Sequence, residues 1–358
     1  MTKASDPITI NKTTFRNRIT MAPTVKFDYA GEDGKATVKH IEHYRERSVY
    51  TGLVCVEATA VLPGGRFGFS HMGLWEDGQI EGHRQIAKVC HDNGSAVIIQ
   101  INHTGAITNP SVGEPIGPSE IPGRGGVMSR VMSIEEIHGM QKAFVDAAVR
   151  AQKAGYDGVQ LHACHGYLIN QFACAETNKR TDEYGGDAVN RARFASEIIR
   201  EIRKVCGEDF LISARTIGAD PDLASAITIA EEYLKAGCDY LQVSSGITDP
   251  DPSLVDGTEP YNLICSLGVH FHDHFRGRVP VSCVNSIFEP DLVNYLIGND
   301  LVDTVDLGRA MLADPVFPNA VLTGADFVKC FDCKSCQYGP RMPHNCPAAA
   351  VREKNAAK

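Results

Sequence analysis

The chain has 358 residues, 43% of them hydrophobic and 22% charged, a composition that provides ample apolar material for a globular core. Its formal net charge of −9 argues against nucleic acid or an anionic membrane surface as a partner. No apolar run is long enough to span a membrane, and the polar N-terminus lacks the apolar segment of a signal peptide. Twelve cysteines without a secretory signal indicate a cytoplasmic protein that uses thiols in metal or redox chemistry.

Eight short apolar runs rich in β-branched residues alternate with helical stretches. The predicted strands are Ile19–Ala22, Gly52–Val61, Ala96–Asn102, Gly158–His162, Phe210–Arg215, Tyr240–Ser244, Pro280–Val284 and Thr304–Leu307. A capping box at Ser133–Glu136 opens one predicted helix, and Ala154–Gly155 ends it. The alternation predicts the α/β class, with a (β/α)8 TIM barrel as the architecture. A doubly wound sheet is the alternative, but no G-x-G-x-x-G follows the first strand.

The composition changes near the C-terminus, which becomes rich in Cys, Pro and Lys. We therefore expect a barrel over residues 1–325 and a short Cys-rich appendage over residues 326–358. Four cysteines follow the pattern C-x2-C-x2-C-x9-C-P, namely Cys330, Cys333, Cys336 and Cys346. This pattern suits a [4Fe–4S] cluster or a structural zinc ion. The cluster is favoured, because four-cysteine zinc sites more often use two separated C-x2-C pairs.

The richest stretch for catalysis begins at the end of the fourth predicted strand. It contains two imidazoles three residues apart, His162 and His165, followed by the phenol of Tyr167. Catalytic groups of such barrels lie at the carboxyl ends of the strands. The imidazoles are expected to donate hydrogen bonds to a developing oxyanion, and the phenol to supply a proton. The alternative is one structural histidine, one solvated histidine and a packed tyrosine.

These side chains belong to a longer series of motifs. In chain order the others are Met21-Ala-Pro23, Gly52–Ala60, Ile99–Gly105, Asn178–Gly186, Arg215 and Leu307–Ala310 with Asp314-Pro315. Taken together and in this order, they resemble the Old Yellow Enzyme family of NADH:flavin oxidoreductases over nearly the whole barrel. The resemblance implies an FMN that lies across the barrel mouth. The two histidines and the tyrosine correspond to the family's substrate-oxygen pair and its proton donor.

The resemblance also assigns residues to the flavin ring. Pro23 and Ala58 would flank the isoalloxazine, and Gln100 would bond its pyrimidine edge. Arg215 would lie near N1 and O2, where it stabilises the negative charge of the reduced ring. Val25 departs from the family, because the residue usual there can bond flavin O4 and valine cannot.

The phosphate of FMN would be held by Asn285, Gly308 and Arg309. Independent support comes from the general rule that the loops after strands seven and eight of such barrels bind phosphate. A second departure is Phe27, which stands where some members have a substrate-binding tyrosine. The active site is therefore expected to be more apolar than in those members.

The terminal cysteines resemble the iron–sulfur branch of the family, that of 2,4-dienoyl-CoA reductase and trimethylamine dehydrogenase. In that branch a [4Fe–4S] cluster follows the eighth strand. Lys329, Lys334 and Arg341 surround the four cysteines in the sequence and would suit an acidic electron-transfer protein. His344 is an alternative zinc ligand, although a solvated position is favoured.

The function that these features predict is an FMN-dependent ene-reductase. Hydride passes from flavin N5 to the C=C bond of an α,β-unsaturated carbonyl compound, and Tyr167 donates the proton. Electrons come from NAD(P)H bound transiently, or from a carrier through the cluster. One alternative is a dehydrogenase or demethylase that passes electrons out through the cluster. Another is a flavin-free barrel lyase or isomerase with structural zinc. A homo-oligomer is compatible with the sequence.

Overall fold

A computed structural model describes residues 1–336 and 346–356 of the chain. Eight parallel strands form a closed barrel, in which each strand pairs with the next along the chain and the last pairs with the first. The strands are β1 Ile19–Met21, β2 Leu53–Ala60, β3 Ala96–Asn102, β4 Gly158–Ala163, β5 Leu211–Ile217, β6 Tyr240–Ser244, β7 Val281–Val284 and β8 Thr304–Leu307. The predicted (β/α)8 fold is thereby confirmed, with all eight strands at the expected places.

Helices cover the outside of the barrel. The main ones are α1 Val38–Ser48, α2 Ile80–Asp92, α3 Ile134–Ala154, α4 Ala188–Cys206, α5 Leu223–Lys235, α6 Leu263–Phe275, α7 Pro290–Gly298 and α8 Phe317–Thr323. Other α-helices are Leu168–Ala173, Arg309–Ala313 and Pro347–Ala356, and short 3-10 turns are Pro63–Gly65, Asp77–Gln79, Gly105–Ile107, Arg124–Gly126 and Pro252–Leu254. None of the described helices combines the length and apolarity needed to cross a membrane.

The barrel strands are buried on both faces, as parallel strands between a core and helices must be. An N-terminal hairpin of Ile8–Ile10 and Thr13–Phe15 packs its Ile10 and Phe15 against the first residues of the strands, including Leu53. This apolar plug closes the amino-terminal end of the barrel. A second short pair, Ile116–Gly117 and Arg130–Val131, lies in the long loop after β3. The carboxyl ends of the strands are left to form the functional face.

Helix α3 begins and ends as its sequence predicts. The Ser133 side chain accepts a hydrogen bond of 3.2 Å from the Glu136 backbone N–H, and the Glu136 carboxylate accepts one of 2.8 Å from the Ser133 N–H. The helix stops at Gly155, whose φ of 91° favours glycine. Both ends of α3 therefore satisfy backbone groups that would otherwise lack partners.

Replacing Ser133 with alanine is expected to lower the free energy of unfolding by about 1 kcal/mol, because the Glu136 N–H at the start of α3 loses its side-chain acceptor. Thermal or chemical unfolding of the variant measures the loss. The exposed Ser5, outside any helix or strand, provides the matched control as Ser5→Ala. Equal effects of the two substitutions would show that the capping box contributes nothing.

Candidate active site

Two adjoining cavities open at the carboxyl ends of the barrel strands. The larger has a volume of about 490 Å³ and lies above β1 to β5. The smaller, about 170 Å³, lies at the ends of β7 and β8. Pro23, Thr24 and Arg215 line both cavities, so the two are joined at these residues. Together they form one elongated recess across the barrel mouth.

The structure brings all ten predicted catalytic and FMN-binding residues to this recess. The larger cavity is lined by Pro23, Ala58, Gln100, His162, His165, Tyr167 and Arg215. The smaller cavity is lined by Pro23, Arg215, Asn285, Gly308 and Arg309. All ten residues therefore meet at one end of the barrel.

The two histidines and the tyrosine form one contact group. Nε2 of His162 lies 3.1 Å from Nδ1 of His165, and Nε2 of His165 lies 2.8 Å from Oγ of Ser244. The ring centroids of His162 and Tyr167 are 4.5 Å apart. His165 and Gly166 both have positive φ, 61° and 76°, so the chain turns sharply after β4. The turn is what allows residues three and five positions after His162 to come back beside it.

Burial fixes the protonation of this group at neutral pH. Burial, with smaller contributions from the neighbouring His165 and the positive charge of Arg215, holds the pKa of His162 well below its ordinary value, so its imidazole is neutral. Burial raises the pKa of Tyr167 to about 12, so its phenol keeps its proton. A neutral imidazole and a protonated phenol are both hydrogen-bond donors.

Cys164 lies between the histidines, and one ligand atom from each of the three side chains falls within 4.8 Å of the others. A metal ion is nevertheless disfavoured, because the positive charge of Arg215 acts on all three side chains. The same charge favours an electronegative oxygen in the cavity. The geometry therefore suits a substrate carbonyl better than a divalent cation.

The wall of the larger cavity includes residues that the sequence did not single out. Phe67 contacts Tyr167, with ring centroids 5.0 Å apart, and also packs on His71 at 4.5 Å. Arg124, from the long loop after β3, lines the same space. The apolar Val25 and Phe27 line it as well, in agreement with the expected apolar site. Loop residues of this kind carry no periodic signal that would have identified them.

The smaller cavity has the features of an anion site. Asn285 and Ser286, directly after β7, have positive φ of 101° and 52°, a conformation that costs energy in residues other than glycine and recurs at ligand sites. Nη2 of Arg309 donates to Oγ of Ser286 at 2.6 Å, and Nη1 donates to Asp332 at 2.5 Å. The Arg309 guanidinium also lies 4.8 Å from the ring centroid of Phe288. The arginine is thus held at the cavity from three sides.

The four predicted metal ligands also come together. Cys330, Cys333, Cys336 and Cys346 line one small cavity with Arg309, and all four are free thiols. Four convergent sulfurs fit either a [4Fe–4S] cluster or a zinc ion by their donor chemistry. Arg309 borders both this cavity and the smaller cavity of the barrel mouth.

The basic residues near the cysteines are only partly accounted for. Lys329 pairs with Glu289, which favours an ordinary surface ion pair over a docking role for this lysine. Arg341 and His344 lie outside the described residues.

The predicted boundary at residue 325 falls just after α8, in a stretch without helix or strand. The terminal helix Pro347–Ala356 was not predicted and packs against Arg309–Ala313.

A barrel with an elongated recess at the carboxyl ends of its strands is the architecture of a barrel enzyme, and comparisons with known proteins give the class, a flavin oxidoreductase, and the family. The NADH:flavin oxidoreductase / NADH oxidase family model matches residues 5–326. The chain therefore belongs to this family, which includes the Old Yellow Enzymes. It is 35% identical over 352 residues to NADH oxidase of Thermoanaerobacter brockii, covering 94% of this chain and 53% of that protein. The chain thus spans about half the length of this relative.

Solved structures show the same relationship. A 2-naphthoyl-CoA reductase in complex with 2-naphthoyl-CoA has a TM-score of 0.84 and 28% identity, covering 93% of this chain and 54% of that one. An Old Yellow Enzyme homologue from Zymomonas mobilis has a TM-score of 0.79 and 26% identity, covering 96% and 99%. Morphinone reductase with tetrahydroNAD has a TM-score of 0.76 and 25% identity, covering 92% and 93%.

The recess fits FMN by the groups that it offers. Nε of Arg215 and Nδ1 of His162 are buried and have no hydrogen-bond partner among the described residues, so both are available to a bound ligand. Gln100 supplies an amide at the floor of the larger cavity, and Arg309 supplies a cation at the smaller one. FMN has a ring with polar edges and a phosphate at its far end, and these match the order of the protein groups along the recess.

Replacing Arg309 with alanine is expected to weaken FMN binding about 10- to 100-fold, because a charge-assisted hydrogen bond to phosphate is lost. The dissociation constant is measured by flavin fluorescence on flavin-free protein. Riboflavin, which lacks the phosphate, should bind the variant and the parent equally well. The surface variant Arg276→Ala, whose arginine pairs with Asp300, is the matched control. An unchanged FMN affinity in Arg309→Ala would show that the phosphate does not bind in this cavity.

Proposed function

We propose that the protein is an FMN-dependent ene-reductase that acts on an α,β-unsaturated carbonyl compound. The observation that carries the proposal is the convergence of His162, His165 and Tyr167 beside Arg215 on one cavity. Such a reduction requires groups that bind the carbonyl oxygen and a group that donates a proton. The imidazoles can serve as the first and the phenol as the second. When bound, FMN supplies the hydride.

The imidazoles orient and polarise the substrate. As hydride reaches the β-carbon, negative charge develops on the carbonyl oxygen, and donors aimed at that oxygen lower the barrier. His162 is neutral and therefore offers an N–H without adding a charge to the cavity. Ser244 holds His165 from behind through the 2.8 Å contact, which fixes its ring relative to His162. A donor on His162 that is already held in place by His165 costs little reorganisation when the charge appears.

The phenol of Tyr167 delivers the proton to the α-carbon. It lies against His162 and Phe67, which restrict its ring on two sides. Its pKa of about 12 keeps the proton available through the whole range of neutral and mildly alkaline pH. The proton and the hydride together saturate the double bond, so the product is a saturated carbonyl compound.

Electrons enter through NAD(P)H or through a protein carrier. The family name and the morphinone reductase complex with tetrahydroNAD support nicotinamide as the donor. The naphthoyl-CoA complex supports an acyl thioester as one class of unsaturated substrate. We place the enzyme in the cytoplasm, in agreement with its unpaired thiols, and a homo-oligomer is compatible with this proposal.

A second candidate function is a flavin-dependent dehydrogenase or demethylase that passes electrons outward through a [4Fe–4S] cluster. The observation in its favour is the four-cysteine cavity, which shares Arg309 with the smaller cavity and includes the exposed Cys336. The chain belongs to a flavin oxidoreductase family, which argues against the other predicted alternative, a flavin-free lyase or isomerase with structural zinc.

Product analysis separates the two functions. The flavin-loaded protein is incubated without oxygen with NADH and 2-cyclohexenone, and the ketones are quantified by gas chromatography. The ene-reductase predicts one cyclohexanone formed for each NADH consumed. If no saturated ketone or thioester forms from any unsaturated substrate, while an amine such as trimethylamine bleaches the flavin, the second function replaces the first.

A further inference from the structure

A chain of polar side chains crosses the interior of the barrel, from Gln100 at the larger cavity to Asp306 at the smaller one. It runs through three glutamines and one aspartate, Gln100 on β3, Gln160 on β4, Gln242 on β6 and Asp306 on β8, each at most 1% exposed. Barrel interiors are normally filled by branched apolar side chains. Four polar groups in this position are costly unless they are bonded to one another.

Each member of the chain bonds the next. Nε2 of Gln100 donates to Oε1 of Gln160 at 2.7 Å, and Nε2 of Gln160 donates to Oε1 of Gln242. Nε2 of Gln242 then donates to Oδ1 of Asp306 at 2.7 Å. The direction of donation is therefore the same at every step, from the cavity toward the aspartate.

Asp306 sets this direction. Its carboxylate receives hydrogen bonds from Thr20, from Gln242 and, at 3.0 Å, from Ser282. Burial raises the pKa of Asp306 above its ordinary value, and the positive charge of Arg215 and the three donors offset part of that rise. A carboxylate with three converging donors acts as an acceptor, so Gln242 must turn its NH2 group toward it.

The orientation of the Gln242 amide then fixes the orientation of the next two amides in turn. An amide that gives its NH2 to one neighbour has its carbonyl left for the other. Gln242 presents its carbonyl to Gln160, and Gln160 presents its carbonyl to Gln100. Gln100, with its NH2 used inside the barrel, has its carbonyl oxygen left for the cavity that it lines.

We propose that Asp306 is a positioning residue for the cofactor, which acts through Gln242 and Gln160 to hold the Gln100 carbonyl toward the flavin ring. The pyrimidine edge of the ring has one donor, N3–H, between two carbonyl oxygens. A carbonyl accepts from that donor, whereas a flipped amide would present NH2 to it. This inference rests on the proposed FMN site and adds the group that selects the amide orientation.

The first test measures FMN affinity on flavin-free full-length protein that is reloaded with FMN. Asp306→Asn and Gln242→Met are each expected to weaken binding about tenfold, because the Gln100 amide loses its fixed orientation. Ser213→Ala is the matched control, because Ser213 donates to Gln242 at 3.3 Å without setting the direction of the chain. Combining Asp306→Asn with Gln100→Met should weaken binding no more than Gln100→Met alone.

The second test follows the ionisation of N3–H in bound, oxidised FMN by alkaline spectroscopic titration. A carbonyl at N3 favours the protonated ring, so both variants should lower the N3 pKa by about one unit relative to the parent. Gln242→Met is the informative variant, because it breaks the chain and leaves the charge of Asp306 in place. Gln160→Met provides a second break in the chain if Gln242→Met does not fold.

The outcomes are distinct. Lowered N3 pKa values in both Asp306→Asn and Gln242→Met, with Ser213→Ala unchanged, support the proposal. A shift in Asp306→Asn alone overturns it, because the aspartate would then act by its charge and not through the amides. Unchanged affinity and unchanged N3 pKa in both variants also overturn it. A parent protein that does not bind FMN refutes the proposed function instead.

Discussion

Replacing Tyr167 with phenylalanine is expected to slow reoxidation of the reduced protein by an unsaturated ketone about 100-fold or more, the usual contribution of a positioned general acid. Reduction by NADH should change little, because that step requires no proton from the phenol. Phenylalanine keeps the ring contacts with Phe67 and His162 and removes only the hydroxyl. Stopped-flow absorbance of the two half-reactions measures both rates without oxygen.

The pH dependence gives a second view of the same group. Since the pKa of Tyr167 is raised to about 12, its ionisation should not limit reoxidation below about pH 11, and the rate should fall only as pH approaches that pKa. Tyr295→Phe on α7, exposed and remote from the recess, is the matched control. If Tyr167→Phe reoxidises as fast as the parent, another group or water delivers the proton.

Replacing Cys333 with serine is expected to abolish iron incorporation, from about four irons per chain to nearly none, because one of four sulfur ligands is lost. Iron, sulfide and zinc are assayed on protein purified without oxygen. FMN content should fall far less, since the recess is built by the barrel and shares only Arg309 and Leu312 with the cysteine cavity among the described residues. Cys206→Ala at the end of α4, away from both cavities, is the matched control.

The metal content of the parent protein decides what the four cysteines do. About four irons and matching sulfide support the cluster and, with it, an electron route beside Arg309. One zinc and no iron would show that the C-terminal segment has only a structural role, and NAD(P)H would then be the electron donor. Unchanged iron in Cys333→Ser would contradict ligation by this set.

The barrel itself was predictable because each strand is a continuous apolar run between helical stretches, the pattern of strands buried on both faces. The site residues followed from their place at strand ends, as with His162 in the last two residues of β4 and Gly308 directly after β8. The resemblance added roles that spacing alone does not assign. Pro23 and Ala58, for example, carry no chemistry of their own to reveal a flavin.

Two parts of the site escaped prediction for physical reasons. Phe67, His71 and Arg124 reach the cavity along irregular loops, and no periodicity relates their sequence positions to their spatial positions. The interior chain did leave a signal, because Gln160 and Gln242 are polar residues at inward positions of apolar strands. Only the closed barrel, which places β4 beside β3 and brings β6 and β8 within reach, shows that these amides bond one another.

The most direct test of the proposed function is a single turnover of the flavin-loaded protein. The protein is reduced photochemically without oxygen, so that neither NADH nor the cysteine cavity is needed, and is then mixed with 2-cyclohexenone or an unsaturated acyl thioester. The proposal predicts return of the oxidised flavin spectrum with one saturated product formed for each flavin. A flavin that stays reduced with both substrates, yet reoxidises with an artificial acceptor, would contradict the assignment of the recess to ene-reduction.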